Sequence, residues 1–256
     1  HNILMSGPPG AGKTLLASAL PSILPPLTFE ESLEVTNIYS VAGLLDENTP
    51  LMSQRPFRSP HHTSSHTAII GGGLYPRPGE ITLAHHGVLF LDEFPEFDRR
   101  VIESLRQPLE QRTITVARTH GVVTFPAHIM LIAAMNPCPC GNFGNPLKDC
   151  SCSPGAVLKY KKKISGPMLD RIDIHIELPA VAYEKLEGED NTSSDRIRER
   201  VLRARAIQKN RFQNLPIIAN ADIGLEEIKH FLPVDASLRP ILRQAHDQHH
   251  LSARGY

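Results

Sequence analysis

Gly7 to Thr14 read GPPGAGKT, and the segment stands between a short apolar run, Ile3 to Met5, and KTLLASAL, whose composition and spacing predict a helix. Strand, glycine-rich loop and helix together make a phosphate cradle. The spacing G-x-x-x-x-G-K-[ST] lets backbone N–H groups close around anionic oxygens, and the helix that follows adds its positive N-terminal end. Gly7, Pro8, Pro9, Gly10, Ala11, Gly12, Lys13 and Thr14 are therefore expected to bind the phosphates of ATP. Lys13 would reach the β- and γ-phosphates, and the Thr14 hydroxyl would hold Mg²⁺.

Further along, GVLFLDEF is continuously apolar from Val88 to Leu91 and then ends on two carboxylates. Asp92 is the expected metal-side carboxylate, and Glu93 is placed to polarise an attacking water. HIMLIAAMN is a third apolar run, and its terminal Asn136 can orient the same water if its strand lies beside that of Asp92. DIHIEL, from Asp173 to Leu178, reads as a fourth strand. Buried strands separated by helix-length segments predict an α/β fold, a parallel sheet sandwiched by helices. The stretch before Asp92, including RPFRSPHHTSSHTAIIGGGLYPRPGE, reads as a long irregular insertion, and TITVARTHGVVTF as a hairpin with a basic tip. After Leu178 the composition turns polar and acidic, which predicts a linker over 179–194. Helical patterns follow at Asp195 to Arg211, Leu225 to Phe231 and Ser237 to His250. The expected domains are an α/β core over 1–179 and a small all-helical unit over 195–256.

GPPGAGKT, VLFLDE and the Asn136 strand resemble the P-loop AAA+ ATPases. RPFRSPHHT, GEITLAHHGVLFLDEFPEF, ESLRQPLEQ, AAMNPCPCG and SGPMLDRIDIHIELP resemble the bacterial ComM/YifB family of magnesium-chelatase-like ATPases, over essentially the whole chain. That family is similar in turn to the chelatase ATPase subunit and, more distantly, to MCM helicases. The resemblance implies that Asn136 is sensor 1, that Arg171 is an arginine finger reaching a neighbouring subunit's ATP, and that Arg254 in LSARGY is the sensor-2 arginine of a helical lid. It also implies a homo-hexameric motor on single-stranded or branched DNA, acting in branch migration during natural transformation. Arg55 to Gly73 and the hairpin at Ile114 to Phe125 would correspond to pore loops. On that reading Arg55, Arg58, His61, His62, Arg118 and His120 are expected near a phosphate backbone. Remodelling of a protein partner, as in a chelatase, and a nucleotide-dependent scaffold stand as alternatives.

Twenty-seven basic residues balance twenty-seven acidic ones, so any polyanion site must be a local patch. No apolar run approaches the ~20 residues of a membrane-spanning helix, and the expectation is a cytoplasmic protein without a membrane partner. HNILM opens directly into a strand and LSARGY stops within a helical pattern, which suggests a fragment. The histidine pairs show no metal-ligand spacing and read as packing or loop residues. All four cysteines lie in NPCPCGNFGNPLKDCSC: Cys138, Cys140, Cys150 and Cys152. Four thiolates suit a tetrahedral Zn²⁺, although C-x-C is tighter than the usual C-x₂₋₄-C, and redox or incidental thiols also fit. A metal clip here would brace the connection between Asn136 and the strand bearing Arg171.

Overall fold

The computed structural model describes residues 1–46, 50–118, 121–180, 192–215, 217–231 and 234–249. The chain divides into two units, His1–Arg198 and Glu199–Tyr256. In the first, β1 (Ile3–Ser6) passes through the glycine loop into α1 (Lys13–Ile23) and α2 (Phe29–Ala42). The short elements β2 (Phe57–Arg58), α3 (His66–Ile70), β3 (Gly71–Gly72), β4 (Arg77–Pro78) and α4 (Glu80–Leu83) lead to β5 (Val88–Leu91). Then come α5 (Arg99–Ser104), α6 (Arg106–Gln111) and the hairpin of β6 (Thr113–Arg118) with β7 (Gly121–Pro126). The unit closes with β8 (Met130–Met135), α7 (Pro154–Lys161), α8 (Gly166–Leu169) and β9 (Ile174–Glu177).

Five strands form one sheet in the order β2-β5-β8-β1-β9, and every pairing is parallel. Parallel strands bury both faces, which explains the uninterrupted apolar runs. Leu89, Leu91, Leu131 and Ala133 pack on one face with Phe94, Ile102 and Leu105. Phe90, Ile132 and Ala134 point the other way, onto Ala17 of α1. The two-residue alternation of a strand thus sorts one hydrophobic run into two cores. The fold is the α/β class expected from the sequence, followed by helices.

Two local expectations change. β9 was expected to be buried, yet all four of its residues are exposed, because it is an edge strand paired only with β1. The stretch before Asp92 is less irregular than its composition implies. Thr28 caps α2 through a capping box with Glu31, a sequence-readable S/T-x-x-E signal, and Phe57 and Arg58 pair with Val88 and Leu89 as the opposite sheet edge.

The expected 179–194 linker falls largely on 181–191, outside the described residues. α9 (Ser194–Arg211), α10 (Leu225–Phe231) and α11 (Arg239–His249) follow. Within the second unit, Phe212 is buried and meets the Phe231 ring edge-on at 5.2 Å, while the Asn220 backbone N–H donates to Gln208 Oε1 at 2.8 Å. No helix among the described residues is long and apolar enough to cross a membrane.

Candidate nucleotide site at the carboxyl ends of the strands

Ser6 lies opposite Met135, and Leu91 lies opposite Ala133. The residues that follow these strands, Gly7, Asp92 and Asn136, therefore emerge at the same end of the sheet, the end where parallel α/β sheets collect ligands. Gly10 and Gly12 have φ of 79° and 81°, left-handed values that glycine adopts without strain, and Gly12 is the N-cap of α1. Gly7 is required for a different reason. A Cβ there would stand 2.5 Å from the Leu178 carbonyl oxygen.

Lys13 folds its ammonium back over the loop, donating to the carbonyls of Gly7 at 2.6 Å and Pro8 at 2.9 Å and to Asn136 Oδ1 at 3.2 Å. Burial pushes its pKa below the usual lysine value, and the charge of Asp92 opposes that shift. The Thr14 hydroxyl donates to Asp92 Oδ2 at 2.8 Å, and the other Asp92 oxygen accepts the Glu93 backbone N–H at 2.9 Å. An oxygen pair from a hydroxyl and a carboxylate is the donor chemistry Mg²⁺ takes, so these residues fit that ion. One constellation thus gathers Lys13, Thr14, Asp92, Glu93 and Asn136.

Glu93 itself is left-handed, with φ 52° and ψ 42°. Its carboxylate pairs with Nδ1 of His62 at 2.9 Å, and the His62 ring sits edge-on to Phe97 and against His61. This partner was not legible in the sequence, where His62 reads as a loop residue facing phosphate. Arg55 and Arg58 also depart from that expectation. Arg55 donates to the carbonyls of Pro25, Pro26 and His86 and to Glu31, while Arg58 forks onto Glu80 at 2.6 and 2.8 Å. Both guanidinium groups are committed inside the unit, where they fasten the β2 edge rather than offer charge outwards. His120 and the side chain of Arg118 lie outside the described residues.

Arg171 is not hydrogen-bonded to the loop constellation. Its guanidinium meets Glu110 and the Pro167 carbonyl, while its Nε is buried without a hydrogen-bond partner. Arg254 lies outside the described residues.

Two clusters have ligand-like composition. Glu34 Oε2 accepts from His85 Nε2 at 2.9 Å and from His86 Nε2 at 2.8 Å. His85 Nδ1 already accepts the His128 backbone N–H at 3.0 Å, so the neutral ring must carry its proton on Nε2. That proton occupies the lone pair a metal would need, and the cluster is a hydrogen-bonded brace between α2 and the segment after α4. The second cluster is formed by the four cysteines, whose sulfurs all lie within 4.8 Å of one another and form no disulfide. Backbone N–H groups of Asn142 and Ser151 hold the Cys140 thiol down to about 5.

The model of the family described as magnesium chelatase, subunit ChlI, matches residues 1–186, and that of its C-terminal part matches residues 191–256. The chain belongs to this family. It is similar to YifB of Salmonella typhimurium, with 46% identity over 237 residues covering 90% of the chain and 45% of the relative. It is also similar to YifB of Escherichia coli, at 44% over 242 residues, 92% of the chain and 46% of the relative. The competence protein ComM of Haemophilus influenzae is 41% identical over 258 residues, covering 100% of the chain and 49% of the relative. The chain thus spans about half the length of the curated relatives it matches. In family terms, the sheet with its P-loop is the part matched by the subunit ChlI model, and the three helices fall in the part matched by its C-terminal model.

Proposed function

We propose that the chain is the ATP-hydrolysing part of a AAA+ motor whose substrate is DNA. The observation that carries the ATPase reading is the hydrogen-bonded set Lys13, Thr14, Asp92, Glu93 and Asn136 at one end of a parallel sheet. The N-terminus of α1 and the Lys13 ammonium favour the triphosphate. Thr14 and Asp92 would hold Mg²⁺, which supplies positive charge against the developing negative charge of the transferred phosphoryl group. Glu93 takes the proton of the attacking water, and Asn136 orients that water and Lys13 together.

Assigning Arg171 to a neighbour's site requires assembly into a ring, taken here as a homo-hexamer. Arg171 fills that role once it exchanges Glu110 for phosphate oxygens. Arg254 is assigned to the subunit's own γ-phosphate, residues 1–179 to the core and residues 195–256 to the lid. The DNA substrate rests on the similarity to a competence protein and on the hairpin of β6 and β7, which presents a two-stranded ribbon. Phosphate release by the full-length protein should rise with single-stranded or branched DNA and vanish in Glu93→Gln. The chelatase family description favours a second reading, remodelling of a protein partner, and indifference of the ATPase to every DNA would select it.

A further inference from the structure

We propose that Cys138, Cys140, Cys150 and Cys152 bind one Zn²⁺, and that this site props the phosphate loop so that metal and nucleotide bind with positive coupling. The second half rests on the nucleotide reading above. The sulfurs of Cys138 and Cys140 are 3.4 Å apart, those of Cys138 and Cys150 3.7 Å, and those of Cys140 and Cys150 3.6 Å. Four sulfurs placed ~2.3 Å from a central Zn²⁺ in a tetrahedron stand about 3.8 Å from one another. A disulfide would bring a pair to about 2.0 Å, so the spacing is that of ligands around one centre. A multi-iron cluster, with each thiolate on its own iron, would spread the sulfurs further.

The short C-x-C spacing is reconciled by the turn that follows. Gly141 has φ 81° and donates its N–H to the Cys138 carbonyl at 3.0 Å, which folds Cys138 and Cys140 towards the same point. The Phe143 backbone N–H donates to Cys138 Sγ at 3.3 Å, a contact that stabilises a metal-bound thiolate. Cys138 is fully buried.

The same turn touches the phosphate loop. A Cβ on Gly141 would fall 2.6 and 2.8 Å from Cδ and Cγ of Pro9, so the proline ring lies directly on the backbone that follows Cys140. The loop starts one residue after Asn136, and it returns through α7, where the Tyr160 hydroxyl meets the Asn136 backbone. A metal that fixes Gly141 therefore fixes the floor under Pro9. Coupling of this kind is reciprocal: nucleotide must tighten the metal by the factor by which metal tightens nucleotide.

The test uses the full-length protein purified without oxygen or chelator. Elemental analysis should find one zinc per chain, and Co²⁺ put in its place should show the absorption of a tetrahedral thiolate site. Stripping the zinc and restoring Mg²⁺ should weaken binding of a fluorescent ATP analogue by roughly fivefold or more, and the analogue should slow zinc loss to a chelator. Pro9→Ala, which removes the ring atoms that rest on Gly141 and leaves the cysteine turn untouched, should keep its zinc, and stripping that zinc should then no longer change nucleotide affinity, which separates propping from general misfolding. Absence of zinc, or iron in its stead, overturns the metal site. Stripped protein that stays folded by circular dichroism and binds the analogue unchanged overturns the coupling. Lys13→Ala distinguishes the two readings, since it should abolish nucleotide binding with the zinc retained. A wild-type protein that carries zinc but binds no nucleotide would sink the ATPase reading and leave the metal site standing.

Discussion

Lys13 Nζ donates to Asn136 Oδ1 across 3.2 Å, tying the phosphate loop to the end of the neighbouring β8 strand. Without that amide Lys13 keeps two carbonyl partners, so its charge stays where phosphate would meet it. Asn136→Ala should therefore hold nucleotide affinity within about threefold while turnover falls by roughly 10², the usual loss on removing one polar transition-state contact. Equilibrium binding of a fluorescent nucleotide beside steady-state phosphate release measures both.

Glu93 reaches its proposed role through a left-handed backbone and the ion pair with His62. Glu93→Gln keeps the shape and loses the base, so binding should persist and turnover should drop by about 10²–10⁴. His62→Ala leaves the carboxylate free to rotate. Its expected mark is a change in kcat of up to roughly tenfold with unchanged nucleotide Kd, the signature of a positioning residue rather than a binding one.

Arg171 is held by Glu110 and Pro167 within its own chain. Arg171→Ala should leave nucleotide binding intact and cut turnover of the assembled protein by about 10³ or more, as loss of an arginine supplied in trans does. Mixing this variant with Lys13→Ala should restore part of the activity in mixed assemblies, since each subunit then supplies what the other lacks. No recovery at any mixing ratio would place Arg171 outside the active site.

Acid should loosen the α2 brace. Burial lowers the His85 pKa below its ordinary 6.5, and its hydrogen bond lowers that of Glu34 below 4.5. A depressed folded-state pKa contributes stability that is complete above the unfolded value and is lost as pH falls. His85 therefore acts first, below its unfolded value, and Glu34 only in stronger acid. The thermal midpoint should hold steady from about pH 8 to 7 and decline as pH drops towards roughly 5. His85→Gln, which can donate and accept but cannot titrate, should flatten the upper part of that decline.

Much of this geometry is legible in the sequence because it is local. GPPGAGKT, LDE and AAMN each carry their chemistry within a few residues of a strand end, and parallel pairing alone aligns Gly7, Asp92 and Asn136. What escapes depends on distant contacts. His62 and Glu93 are far apart in the chain, and neither Arg55 nor Arg58 advertises that Glu31 and Glu80 already occupy it. The exposure of β9 follows from its place at the sheet edge, a property of strand order that composition does not encode. α2 is the instructive exception, since Thr28 and Glu31 announced it locally while the proline-rich surroundings suggested irregular chain.

At the close approach of Gly7 to Leu178, a Cβ on residue 7 would meet a main-chain oxygen at 2.5 Å. Every amino acid brings that oxygen, so shortening or reshaping the side chain at 178 cannot make room. A library randomised at both positions should return only glycine at 7, whichever apolar residue packs at 178. The restriction at this corner of the site is thus written in one letter and enforced by a neighbour's main chain, an atom that no substitution at 178 can remove.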